Sequence, residues 1–221
     1  TLLQTWSDIS KLLRKELKMP RGSELWAVLI ILALVAIVVA VFLPFISIAF
    51  HAVTLLISFI VMTSAVHMLL FYASTATSNP FAVVGTSRAV ALIIINEAAL
   101  ISYALFLISQ WSCIYTKPVP VLLALIGLLI SCYVASGRIP FDIYEAEPEL
   151  ASGSMIEFSG PLLGLYIYVH TSERYFYSLL PAAISALIIF GEGSMHSMMT
   201  AFAVAVLLYI VYGVIAAILG R

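Results

Sequence analysis

The chain has 221 residues, 63% of them hydrophobic and 10% charged, with a formal net charge of -1. A soluble domain carries about 25% charged residues, and a fold of this size would still have a large surface to hydrate. The composition therefore excludes an ordinary soluble globular protein and a disordered chain. With no basic excess to hold a phosphate backbone, it also excludes a nucleic-acid partner. What is left is an integral membrane protein.

Residues 1–20 come first and read as an amphipathic helix. Leu2, Leu3, Trp6, Ile9, Leu12, Leu13 and Leu17 recur at three- and four-residue spacing, and Lys11, Arg14, Lys15 and Lys18 lie on the other face. A basic face opposite Trp and Leu suits a helix lying in the membrane interface, where Trp6 and these bases meet the lipid bilayer. The first apolar run, 25–50, is far longer than the h-region of a signal peptide.

Five more runs follow: 51–75, 89–110 interrupted by Glu97, 118–136, 160–190 interrupted by His170, Glu173 and Arg174, and 197–219. A spanning helix needs about 20 apolar residues. The runs are continuous rather than alternating, which excludes barrel strands. The expected fold is an all-α membrane protein of about six transmembrane helices plus the N-terminal interfacial helix. It forms a single membrane domain over 1–221, with four spans in 25–136, a loop at 137–160 and two spans in 160–219. Cys113 and Cys132 fall near opposite membrane faces, so no disulfide is expected between them. No ligand motif for a metal appears, so this chain is expected to bind no metal.

The bases orient the bundle. With the N-terminal helix on the cytoplasmic side, Lys11, Arg14, Lys15, Lys18, Arg21, Arg88, Arg138 and Arg221 fall inside, and only Lys117 falls outside. That distribution obeys the positive-inside rule. The protein is expected in the cytoplasmic membrane, multi-pass, with the 137–160 loop also on the cytoplasmic side.

The acids point to function. Asp142, Glu145, Glu147, Glu149 and Glu157 crowd into that one loop, among Pro140, Phe141, Leu150, Met155 and Phe158. Carboxylates this close cannot all ionise cheaply when partly buried, which suits proton uptake and release. Glu97 is expected about nine residues into the third span, where an insertion penalty of roughly 2.5–3.5 kcal/mol demands a partner, a wet cavity or a proton. His170, Glu173 and Arg174 share one broad face of the fifth span. Arg88 and Arg138 are expected to tune the pKa values of nearby acids.

Within the loop, Arg138-Ile-Pro140-Phe141-Asp142, Glu145-Ala-Glu147-Pro-Glu149-Leu150, Gly153 and Glu157-Phe158-Ser159-Gly160 resemble the signature loop of the family of respiratory complex I subunit 1, and every spacing fits. Leu2-Leu3-Gln4, Asp8, Lys11-Leu12-Leu13 and Lys15-Glu16 resemble that family's interfacial helix. Gly85, Arg88 and Glu97 resemble its G-x-x-R-A segment and the acid of the following span. The resemblance covers residues 1–170, and the rest matches in hydropathy. The family has eight spans, and its first and last have no counterpart here. Tyr144, Pro148 and Phe158 depart from the respiratory pattern, and the Glu145-Ala-Glu147-Pro148-Glu149-Leu150 form with Arg138-Ile-Pro140-Phe141-Asp142 looks closer to the membrane-bound [NiFe] hydrogenases and related complexes.

The resemblance implies a non-catalytic membrane subunit of an ion-pumping oxidoreductase. Such a subunit joins peripheral hydrogenase-like large and small subunits to antiporter-like membrane subunits. Iron–sulfur clusters and a [NiFe] site are then expected in the partners and no cofactor in this chain. Glu97, Asp142, Glu145, Glu147, Glu149, Glu157, His170 and Glu173 would couple electron transfer to H⁺ or Na⁺ movement. Two other readings are a complex I-type subunit that lines a quinone cavity and a stand-alone ion transporter.

Overall fold

A computed structural model describes residues 4–16, 30–31, 33–35, 37, 52–75, 79–110, 118–142, 155, 158–190 and 195–219; the side chains of 5, 6, 52, 55, 188 and 195 fall outside that description. Among the described residues six helices run in order: α1 (Gln4–Leu13), α2 (Ala52–Thr75), α3 (Pro80–Ser109), α4 (Pro118–Ala135), α5 (Pro161–Phe190) and α6 (Met195–Leu219). Helical backbone is also described at 30, 31, 33–35 and 37, within the first apolar run. No strand occurs among the described residues.

Proline opens three of these helices, at Pro80, Pro118 and Pro161. The first helical position has no hydrogen bond to lose, and proline's fixed φ suits it. At α3 the start is reinforced by Asn79, whose Oδ1 accepts from the Phe81 amide at 3.0 Å. This corrects the expected boundary. The helix begins nine residues before position 89, so Arg88 lies within it and Glu97 is its eighteenth residue rather than about the ninth of a span. The Asn-Pro capping signal, not the arginine, sets the helix end.

Four helices are long and apolar enough to cross a membrane among the described residues: Leu56–Thr75, Pro80–Ser109, Pro118–Ala135 and His196–Leu219. The chain is a multi-pass, all-α membrane protein. Helix α5 is different. From Phe176 to Leu187 every residue except Ser185 is buried. By contrast, the spanning windows of the other four are only 11–39% buried. These four helices thus present faces outward, whereas the Phe176–Leu187 stretch of α5 is shielded.

The chain divides into two compact units. One comprises residues 1–39, 62–90 and 143–173, and the other 40–61, 91–142 and 174–221. In the first unit α1 lies against the start of α5. A Cβ on Gly164 would meet Leu12 Cβ at 3.2 Å, and one on Gly160 would meet the Glu16 carbonyl oxygen at 3.0 Å. Gly160 also has φ +56°, a left-handed conformation that favours glycine. Ile9 is buried, and Phe158 packs on Tyr166 with ring centroids 5.1 Å apart.

In the second unit Phe59 of α2 meets Phe176 and Tyr177 of α5, at 6.1 and 5.9 Å between centroids. Lipid tails are as apolar as these side chains, so contacts and hydrogen bonds between helices hold the helices together. Helix α4 is gripped from both sides. Asn96 Nδ2 of α3 donates to the Ser131 carbonyl at 2.9 Å, and Tyr212 of α6 donates to the Leu129 carbonyl at 2.9 Å. Such bonds contribute about 0.6 kcal/mol each on average. Several helix hydroxyls are satisfied locally; Ser74, Thr86 and Thr171 each donate to the carbonyl four residues earlier.

Candidate functional site

The signature loop opens as a folded corner. Gly137 ends α4 with φ +57°, and its amide donates to the Val134 carbonyl at 3.1 Å. The Phe141 amide then bonds the Arg138 carbonyl at 2.6 Å. Tyr133 donates to the Ile139 carbonyl at 2.5 Å and holds the Phe141 ring edge-on at 6.1 Å. Asp142 follows, half-buried. The remaining acids expected to act here, Glu145, Glu147, Glu149 and Glu157, lie outside the described residues. The loop closes at Phe158, which is buried.

Within the first unit, α5 carries the chemistry. Glu173 is 4% exposed and faces two imidazoles. His170 Nδ1 lies 3.6 Å from Oε2, and His67 Nε2 of α2 lies 3.9 Å from Oε1. These spacings are ion-pair contacts and are too long for direct hydrogen bonds. His67 Nδ1 lies 3.0 Å from the Thr63 carbonyl oxygen. A carbonyl only accepts, so Nδ1 holds a hydrogen. That leaves Nε2 toward the carboxyl group. Two facing lone pairs there repel, and a proton on either atom removes the repulsion. The ring of Tyr166 lies 6.5 Å from that of His170, so a line of contacts runs from Phe158 at the loop's end through Tyr166 and His170 to Glu173 and His67.

His67 is the residue that sequence reading missed. A histidine inside an apolar run is itself a signal, since ionisable groups at membrane depth need a reason to be there. Its partner lies 106 residues further on, beyond the reach of local spacing.

Within the second unit two arginines converge. The Arg138 guanidinium lies over the Tyr209 ring of α6, 4.6 Å from its centroid, and Arg174 Nη2 of α5 donates to the Gly137 carbonyl at 3.4 Å. Burial is the main influence on Arg138 and lowers its pKa from the ordinary arginine value. Tyr209 opposes this shift and Arg174 adds to it. Among the described residues no carboxylate is in ion-pair range of either guanidinium, and both Nε atoms are buried without an acceptor. A buried donor left unpaired costs about 1–3 kcal/mol. Among the described residues Arg138 lies beside a second arginine and a tyrosine, and four of the loop acids it was expected to tune, Glu145, Glu147, Glu149 and Glu157, lie outside them.

The other expected residues are dispersed. Glu97 is half-buried on α3, next to Asn96 in the second unit, whereas His170 and Glu173 belong to the first. Arg88 is exposed. Lys11 in α1, and Arg14 and Lys15 just after it, are exposed; Lys18 and the Trp6 side chain lie outside the described residues. No cluster of three or more metal-ligating side chains occurs among the described residues.

A polytopic helical fold with one shielded, carboxylate-bearing helix and a glycine-capped Arg-x-Pro-Phe-Asp corner defines a class of membrane proteins. The family model for NADH dehydrogenase matches residues 1–221, and the chain belongs to that family, which takes in complex I subunit 1. It is 33% identical to hydrogenase-4 component C of Escherichia coli (strain K12), over 73% of this chain and 56% of that protein. It is 28% identical to an NADH-quinone oxidoreductase subunit of Aquifex aeolicus (strain VF5), over 86% and 64%. Formate hydrogenlyase subunit 4 of Escherichia coli is 26% identical over 74% and 59%. The chain thus spans less than two thirds of the length of these relatives. Its fold matches a chain of the membrane-bound sulfane sulfur reductase, an archaeal respiratory membrane complex. The TM-score is 0.72 at 20% identity, over 100% of this chain and 79% of that one.

Proposed function

We propose that this chain is the membrane subunit that couples electron transfer in a peripheral redox arm to H⁺ or Na⁺ translocation, in a complex of the membrane-bound hydrogenase type. The observation that carries this reading is Glu173, buried between two imidazoles at the end of a contact line that starts where the signature loop closes. An electrostatic change at the loop would reach Glu173 by shifting a proton among three groups that already share one environment. Glu97, Asp142, Glu145, Glu147, Glu149 and Glu157 would extend this set, with Arg88 and Arg138 as fixed charges. The likeness to hydrogenase-4 component C and formate hydrogenlyase subunit 4 supports hydrogenase-like large and small subunits as partners, carrying iron–sulfur clusters and a [NiFe] site. In this reading antiporter-like subunits complete the membrane arm. The bundle has six spans, with α1 and the signature loop on the cytoplasmic side.

The test is Glu173→Gln in the complex reconstituted in vesicles. Redox-driven ion uptake should fall about tenfold or more while uncoupled electron transfer persists. Uptake at the parent rate sinks the proposal. A second reading, a quinone-binding subunit, is favoured by the likeness to the Aquifex NADH-quinone oxidoreductase protein. Turnover that depends on added quinone and stops with quinone-site inhibitors would select it.

A further inference from the structure

The second unit holds a feature that the coupling proposal does not use. Two guanidiniums stand at one corner with no compensating carboxylate among the described residues. Arg138 Nε and Arg174 Nε are both buried without an acceptor, and so is the Tyr175 hydroxyl. Tyr175 is part of the same group, since its ring meets that of Tyr209 at 6.2 Å, and Tyr209 lies under Arg138. Helix α6 makes room for the charge: a Cβ on Gly213 would sit 3.1 Å from Arg138 Nη1. Among the described residues Arg174 has one acceptor, the Gly137 carbonyl, at the long distance of 3.4 Å.

Like charges held together in a partly desolvated corner, with donors to spare, suit an anion that offers several oxygen acceptors. The surrounding surface indicates which one. Val206 and Ile210 flank Tyr209 on α6 and are 39% and 54% exposed, so the donors border an apolar helix face that suits acyl chains.

We propose that Arg138 and Arg174 bind the phosphate of an anionic membrane lipid, with the Tyr175 hydroxyl as a further donor and the lipid's acyl chains along Val206 and Ile210 of α6. The phosphate diester supplies the acceptors that the two Nε–H groups lack and cancels one of the two charges. A free phosphate offers the same acceptors but gains nothing from the α6 face.

The test uses the complex purified through this chain and stripped of lipid in detergent. It is titrated with dioctanoyl phosphatidylglycerol, dioctanoyl phosphatidylcholine or inorganic phosphate, and bound lipid is counted by native mass spectrometry. Phosphatidylglycerol should occupy a saturable site about tenfold more tightly than phosphatidylcholine, and the site should weaken about tenfold in both Arg138→Gln and Arg174→Gln. Inorganic phosphate should compete only at far higher concentration. Phosphate that binds as well as the lipid overturns the lipid assignment. Equal affinity for the two lipids, as expected if a neighbouring protein's carboxylate fills the gap, overturns the site itself. So does undiminished phosphatidylglycerol binding in the variants. If Arg138→Gln fails to assemble, Arg174→Gln and the comparison of the two lipids on the parent protein decide.

Discussion

Glu173 and Arg174 are adjacent on α5, yet their surroundings are opposite in kind. Glu173 is buried against His67 and His170, groups that take or give a proton to match its charge. Arg174 shares its corner with Arg138, a second permanent cation, and with a backbone carbonyl and aromatic rings. The first environment has the means to adjust internally in the proposed reading, because a carboxyl and two imidazoles can redistribute protons among themselves. The second cannot, since arginine does not deprotonate in proteins. Its balance has to come from outside the described residues. A single helix therefore carries both a self-compensating cluster and an uncompensated one.

Removing a partner should act in opposite directions in the two places. His67→Leu leaves the Glu173 carboxyl short of one of its two imidazoles. It should destabilise the protein by about 1–3 kcal/mol, read as a lower midpoint in detergent unfolding followed by circular dichroism. An unchanged midpoint would mean that His67 is incidental to the cluster. Arg174→Met, in lipid-free neutral detergent, should instead be neutral or stabilising by up to about 1 kcal/mol, because it relieves like-charge repulsion and a buried unpaired donor. A large loss of stability there would show that an anion remains bound through purification. The smallest effect belongs to a bond between neutral groups. Asn96→Leu removes the bond to the Ser131 carbonyl and should lower stability by about 0.6 kcal/mol in the same assay.

Much of the architecture was legible because the membrane imposes length and apolarity on each span. The runs at 51–75, 118–136 and 197–219 fall on α2, α4 and α6 within a few residues. The start of α3 was misread because Arg88 looked like a loop charge, whereas helix ends follow capping, and Asn79-Pro80 is the stronger signal. The candidate site was legible only in part. His170 and Glu173 announce each other three residues apart, but His67 reaches Glu173 through helix packing that no local pattern encodes. Likewise, the arrival of Arg138 on Tyr209 and Gly213 depends on the return of α6 some seventy residues later. Gly160 read as one letter of a motif; its left-handed φ and the adjacent Glu16 carbonyl supply the physical reason for the letter.

The seat of α1 has a consequence for biosynthesis. Leu12 packs against Gly164, so the N-terminal helix is made long before its partner exists. At a synthesis rate of about 5–20 residues per second, the intervening stretch of about 150 residues leaves α1 without its seat for roughly 8–30 seconds. An isolated helix of ten residues is marginal in water. With Lys11, Arg14 and Lys15 exposed, α1 is suited to wait on a headgroup layer until Gly160 and Gly164 emerge and α5 gives it a place to dock.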